Sequence, residues 1–336
     1  MLRILHDTKL DFVKHWKTAV IATIAFIVLG MVLLGYHKAR TGYALNESVE
    51  FLGGSAVQLG FAKDAPADVV RGAVDEAGYK GAEVTTFGTT RSYMIKVPLK
   101  PGVAAAQNAD SAGAAIIRVL QTKLPDNPVH VAQAQSIGPR VGSELRTKAI
   151  TAILISFVVT LIYLAFRFEW RFGVAATVAT MHDILTTLAF LAMMHLEISL
   201  TVVAAILTVI GYSLNDTIII FDRVRENLKK QRKEPLRDVL NRSINETLPR
   251  SVLTHTTVFA ATLALLIFAG EVIRPFSWIM AFGVFTGTFS SIYIAGPILL
   301  YIERRWPRET AASGKSGGST PSTESRRERP ATAGAR

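Results

Sequence analysis

The residues best placed to do chemistry are ionisable groups inside apolar runs. Asp216 stands in the run 200–221, within the stretch VIGYSLNDTIIIF. A charge there is costly, so it reads as functional unless it is statically paired or reaches water. At 1.5 Å per residue it lies ~8 Å from the inner end of the run. Tyr212, Ser213 and Asp216 share a helical face by i, i+3, i+4 spacing, and Gly211 beside them allows close packing or a local irregularity. The chemistry on offer is reversible protonation: a carboxylate balanced between burial and a nearby cation loads and releases a proton as helices move. The plain alternative is a fixed polar tie between helices, or an aspartate at the interface.

Asp183 lies in the middle of the run 173–194, with Thr180 and Thr187 on its face. A structural helix–helix hydrogen bond competes with a proton role. His182 precedes it and is expected to point elsewhere. Arg250 follows Pro249, which is expected to occupy the first turn of the next helix. Its guanidinium is a candidate partner for Asp216, against the ordinary habit of a terminal arginine of reaching toward headgroups. Thr254 and Thr257 continue that face and are candidates for a water path. His255 lies on another face and reads as packing. No nucleophile–base arrangement, phosphate-cradling motif or metal-ligand spacing appears among seven scattered histidines and no cysteine. No resident cofactor or enzyme chemistry is therefore expected.

These groups need helices to hold them. Half of the 336 residues are hydrophobic, and they concentrate in six runs: 18–36, 149–166, 173–194, 200–221, 252–269 and 276–301. Each approaches the ~20 residues needed to span a bilayer. The first could be a signal peptide, but it is too long and lacks a small-residue cleavage site, so an uncleaved helix is expected. The net charge of +11 gathers beside these runs, in the N-terminal segment 1–17, the linker 222–251 and the tail 302–336. That pattern is topological and gives no support to nucleic acid as a partner. It places both termini in the cytoplasm and residues 37–147 outside. The basic linker is expected to be mostly helical, lying on anionic lipid or touching a cytoplasmic partner. The Ser/Gly/Pro/Arg-rich tail is expected to be disordered.

Residues 37–147 read β-α-β-β-α-β. A strand is expected in 48–60, with Gly53 and Gly54 inside it as a bulge or close approach. Helices over 67–77 and 104–124 and strands over 83–87, 92–97 and 129–135 follow from the spacing of apolar residues. That order is ferredoxin-like. The expected fold is an α-helical polytopic membrane protein with six transmembrane helices and a ferredoxin-like α+β extracytoplasmic domain.

Several motifs together resemble the SecD/SecF protein-export family of the resistance-nodulation-division superfamily, over residues 2–306. They are Gly-Tyr-Ser-Leu-Asn-Asp-Thr at 211–217 running into Phe-Asp-Arg-Val-Arg-Glu-Asn at 221–227, Gly-Pro-Arg-Val-Gly at 138–142, Phe-Arg-Phe-Glu-Trp-Arg at 166–171, His182-Asp183, and Thr-Leu-Pro-Arg at 247–250. Glu50-Phe51-Leu52-Gly53-Gly54-Ser55 departs from the family's usual Asp-Phe-Thr-Gly-Gly-Thr, chiefly at Leu52. The resemblance implies half of a transporter in the bacterial inner membrane. A SecD-like subunit would complete a twelve-helix unit. The pair would use the proton gradient, or sodium in some relatives, to help preproteins leave the SecYEG channel. It also implies that Asp216 and Arg250 couple protons, with Asp183 a weaker member; Ser213 and Thr254 join the candidate pathway by the helix faces they share. A small-molecule or lipid exporter subunit of the same superfamily, or a non-catalytic assembly scaffold, is the alternative.

Overall fold

The computed structural model describes residues 8, 10–80, 82–97, 105–231, 234–270 and 273–307. The expected disordered tail lies, from residue 308 onward, outside the described residues. In chain order the main elements are α1 (Trp16–Thr41), β1 (Asn46–Glu47), α2 (Val49–Leu52), β2 (Gly54–Phe61), α3 (Ala67–Glu76), β3 (Glu83–Phe87), β4 (Thr89–Val97), α4 (Ala105–Lys123), β5 (Val129–Ile137), α5 (Pro139–Arg167), α6 (Trp170–Met194), β6 (Glu197–Ile198), α7 (Leu200–Lys230), α8 (Leu236–Phe268) and α9 (Arg274–Ser290). A π-helical turn, Ser291–Ala295, leads from α9 into α10 (Gly296–Arg305).

Six helices among the described residues are long and apolar enough to cross a membrane: α1, α5, α6, α7, α8 and the continuous α9–α10. α6, α7 and α9–α10 bury more than half of their apolar windows, and the other three bury less than a fifth. The inner helices therefore form the packed centre. The outer ones leave Ile21, Val28, Leu154, Val158, Leu253 and Ile267 exposed, the surface a lipid chain would cover. Association of such helices depends on close backbone approach at small residues. Here a Cβ on Gly283 would stand 2.2 Å from a Val209 methyl, and one on Gly287 would stand 2.9 Å from Ser213 Cβ. Those contacts seat α9 against α7.

Gly211, expected to allow close packing, instead faces open space in a continuous helix. The basic stretch 222–251 is mostly helical, as expected: α7 runs on to Lys230 and α8 starts at Leu236. Their protruding ends pack on each other, with Asn227 bonded to Ser243 at 3.0 Å and to Glu246 at 2.7 Å, and Arg223 paired with Glu246 at 2.6 Å. Charged residues continue a helix readily once it has left the apolar layer. Pro249 consequently lies inside α8, not in its first turn. The break in hydropathy at residue 252 marks the edge of the apolar span, which is not the start of the helix.

Strands β2 to β5 form a sheet of order β3-β4-β2-β5, antiparallel throughout. The chain order of this unit is β-α-β-β-α-β, and α3 and α4 pack over the sheet through Val57, Leu59, Val70, Val74, Ile95, Ile116 and Leu120. The first strand is shorter than expected. Residues 49–52 are a helical turn capped by the Ser48 hydroxyl, and the strand starts at Gly54. Gly53 has φ +73° and Gly54 φ +144°, conformations that only glycine adopts without strain. The close approach expected of them is real: a Cβ on Gly53 would meet Pro139 at 2.7 Å.

Candidate functional site

Both buried carboxylates sit on inner helices, and their surroundings differ. Asp183 is 1% exposed. Its Oδ2 accepts from the Ser213 hydroxyl of α7 and from the Ser290 hydroxyl of α9 at 2.8 Å. Its Oδ1 faces His182 Nδ1 at 3.0 Å, and His182 Nε2 meets Thr23 Oγ1 of α1 at 2.6 Å. His182 was expected to point away. Neighbouring helical side chains diverge at Cβ, but a ring swung back along the helix reaches the carboxylate while its far nitrogen reaches α1. Thr180 and Thr187 bond backbone carbonyls of α6 itself. Asp183 thus ties four helices, with both oxygens bonded.

Asp216 is 3% exposed and sits near the middle of α7, ~24 Å from its first residue. Its Oδ1 accepts from Ser251 of α8 at a long 3.4 Å. His255 Nε2 approaches Oδ2 at 3.3 Å, ion-pair distance without hydrogen-bond alignment. Tyr212, one turn away, sets its ring edge-on to the His255 ring with centroids 5.1 Å apart. Asp216 Oδ2, His255 Nε2 and the Tyr212 hydroxyl are all buried without a hydrogen-bond partner. These three polar atoms belong to neighbouring side chains of α7 and α8, so the site differs from the fully bonded one at Asp183. Thr217, next in the chain, bonds Ser291 of the π-helical turn at 2.7 Å. Such turns recur at functional sites.

Arg250 does not join this group. It is exposed, and the side chains facing Asp216 from α8 are Ser251 and His255. With α8 continuous through Pro249, the next residue turns outward and residues 251 and 255, one turn apart, turn in. Ser213 belongs to the Asp183 cluster. Thr254 bonds the Arg250 carbonyl at 2.8 Å and Thr257 bonds that of Thr254. His255, expected to be packing, is therefore a member that sequence reading missed. An imidazole inside an apolar run is, like a carboxylate, rare and a sign of function, and that signal was present. Among the described residues no group of three or more His, Cys, Asp or Glu is arranged to hold a metal ion.

The helix carrying Asp216 is also tied to the α/β domain. Glu50 Oε2 accepts the Leu200 backbone N–H at 2.7 Å, capping α7 beside Ser199. β1 and β6 form a two-residue parallel pair. Lys96 of β4 reaches Glu197 of β6 at 2.8 Å, and Arg146 of α5 reaches Glu47 at 3.0 Å. Phe51 is buried in the membrane-side cluster with Leu191, Ile198 and Val202. Leu52 points out, 39% exposed.

This architecture defines a multi-pass membrane protein with one α/β domain at an end of the bundle and two buried carboxylates at its centre. Residues 119–305 match the family model for "Protein export membrane protein SecD/SecF, C-terminal". The protein translocase subunit SecF of Gemmatimonas aurantiaca is 55% identical over 92% of this chain and 91% of that protein. The protein of the same name from Helicobacter pylori strain J99 is 36% identical over 87% of each. The crystal structure of SecDF, a translocon-associated membrane protein from Thermus thermophilus, superposes with a TM-score of 0.75 at 32% identity over 91% of this chain. A SecDF structure in a super-membrane-facing form gives 0.63 at 33% identity. This chain spans 40% of the length of each of those solved chains. The chain belongs to the SecD/SecF family of protein-export membrane proteins.

Proposed function

We propose that this chain is half of a proton-driven protein-export unit in the bacterial inner membrane, with both termini cytoplasmic. Its partner is a SecD-like subunit, and its ferredoxin-like outer domain acts on preproteins leaving the SecYEG channel. The observation that carries the proposal is the contrast between the two carboxylates. Asp183 is satisfied on both oxygens and serves as a pin; Asp216 is buried with one oxygen unbonded and serves as the proton carrier. One charge crossing 100 mV releases ~2.3 kcal/mol, enough to shift a two-state equilibrium about fifty-fold. An ionised Asp216 attracts Arg250 and a neutral one releases it.

The link to the outer domain is direct. α7 carries the carrier, and its first N–H is bonded by Glu50, three residues before the glycine pair that opens the sheet. An exposed stripe of small and polar residues along α7, Ala204, Thr208, Gly211 and Asn215, supports the partner reading, because helix–helix contacts in membranes use that composition. Asp216→Asn is expected to abolish gradient-stimulated preprotein release in vesicles holding the complex, with insertion and partner binding intact. Wild-type export by that variant would end the proposal.

A further inference from the structure

We infer that His255 shares the coupling proton with Asp216, so that the carrier is the carboxylate–imidazole pair. This deepens the proton-coupling reading above and rests on it.

The argument starts from the far side of the ring. His255 Nδ1 faces the Ser251 carbonyl within hydrogen-bonding distance. A carbonyl only accepts, so in this arrangement Nδ1 is the nitrogen that carries a hydrogen. Nε2 is then the nitrogen that gains and loses a proton, and it faces Asp216 Oδ2 at 3.3 Å. Both atoms are buried and lack any other hydrogen-bond partner. With no proton between them, two acceptors oppose each other. With one, either group donates to the other. A proton passing from carboxylic acid to imidazole turns a neutral pair into an ion pair without changing the net charge, which avoids an unpaired charge in the bundle. Two groups this close titrate as a unit.

The surroundings support that assignment. Ser251 serves both members, donating to Asp216 Oδ1 through its hydroxyl and accepting from His255 through its carbonyl. The titratable and charged groups around the pair are Tyr212 on α7, Arg250 on α8, Tyr293 in the π-helical turn, and Asp183 with His182 on α6. Tyr212 brings an unbonded hydroxyl and a ring edge. Arg250 faces outward. Tyr293 lines, with His255, Phe285 and Thr288, a cavity of about 470 Å³. Asp183 is occupied by Ser213, Ser290 and His182. His255 is thus the group at ion-pair distance from Asp216, and its ring touches both the carboxylate and the cavity.

The test has two arms. In the first, the full chain is labelled with ¹⁵N-histidine in lipid nanodiscs, and the His255 signals are assigned by their loss in His255→Gln. Nδ1 is expected to keep its hydrogen at every pH sampled, and the Nε2 signal is expected to respond to Asp216→Asn. A His255 Nε2 signal that is the same in Asp216→Asn as in wild type at every pH sampled overturns the inference. In the second arm, vesicles carrying the chain with its SecD-like partner are assayed for gradient-driven preprotein release against pH. His255→Gln and His255→Asn are each expected to displace the pH profile by at least about one unit. If both keep the wild-type profile while Asp216→Asn abolishes release, the inference fails and the proton-coupling reading stands. If Asp216→Asn releases preprotein as wild type does, that reading falls and takes the inference with it.

Discussion

At the scale of single residues, what separates the two carboxylates is the number of donors each has found. Asp183 accepts from Ser213 and Ser290 and faces His182. Asp216 has one long bond and one misaligned neighbour. Removing the two side chains should therefore have opposite effects on stability. Asp183→Leu strands two hydroxyls and an imidazole. At about 0.6 kcal/mol for each of the two interhelical bonds, it is expected to cost roughly 1 kcal/mol, read as a lower midpoint of unfolding in detergent. Asp216→Asn replaces a carboxyl that holds one long bond and has an oxygen unbonded, so the same measurement should show stability unchanged or raised. A larger loss from Asp216→Asn than from Asp183→Leu would invert this assignment. The sequence displayed both aspartates, because a charge in an apolar run stands out by composition. It did not display their partners. Whether His182 turns toward Asp183, or His255 toward Asp216, depends on ring rotation and on which face α8 offers to α7, and neither is encoded in spacing along one helix.

At the scale of elements, the contact between α7 and α9 positions everything else. Gly283 and Gly287 remove the side chains that would hold the helices apart, and this lets Ser213 and Ser290 both reach Asp183. Gly287→Ala puts a methyl 2.9 Å from Ser213 Cβ and 3.1 Å from its Cα. The backbone on one side cannot retreat, so the helices must separate. The expected cost is about 1–3 kcal/mol, the range for overpacking, and the Asp183 bonds loosen with it. Melting of the purified variant checks this; an unchanged midpoint would show that the contact is slack. Gly35→Ala, where nothing lies within 4 Å, is the matched control and should melt as wild type. Helix existence was legible from six apolar runs. Helix length was not, since α5, α7 and α8 all extend through charged sequence beyond the bilayer. A glycine pair one turn apart inside an apolar run was a readable sign of close packing, and it lay on α9 when attention was drawn to Gly211.

At the scale of the whole molecule, the proposed cycle requires the α/β domain to turn against the bundle when Asp216 gains or loses a proton. β1, α2 and β6 form a collar fixed to the bundle: Glu50 caps α7, Phe51 packs among membrane-side residues, and a Cβ on Gly142 of α5 would stand 2.8 Å from the Phe51 carbonyl. The sheet begins after the collar, at the two positive-φ glycines, and ends at Ile137 just before α5. Motion about those two points leaves the collar intact and breaks one ion pair, Lys96 of the sheet with Glu197 of the collar. The chain has no cysteine, so introduced pairs report without background. Asn46→Cys with Glu197→Cys joins the paired strands of the collar. Those strands lie about 4.8 Å apart, within disulfide reach, and oxidation is expected to leave gradient-driven export at the rate seen before oxidation. Lys96→Cys with Glu197→Cys, bridged by a short bifunctional maleimide, ties the sheet to the collar and is expected to stop export. Each variant is compared with itself before linking, so loss of the native charges cancels. Export that survives the second link would place the moving joint elsewhere. Export that fails with the first would mean that the collar itself has to open, and that Glu50 must release α7 in each cycle.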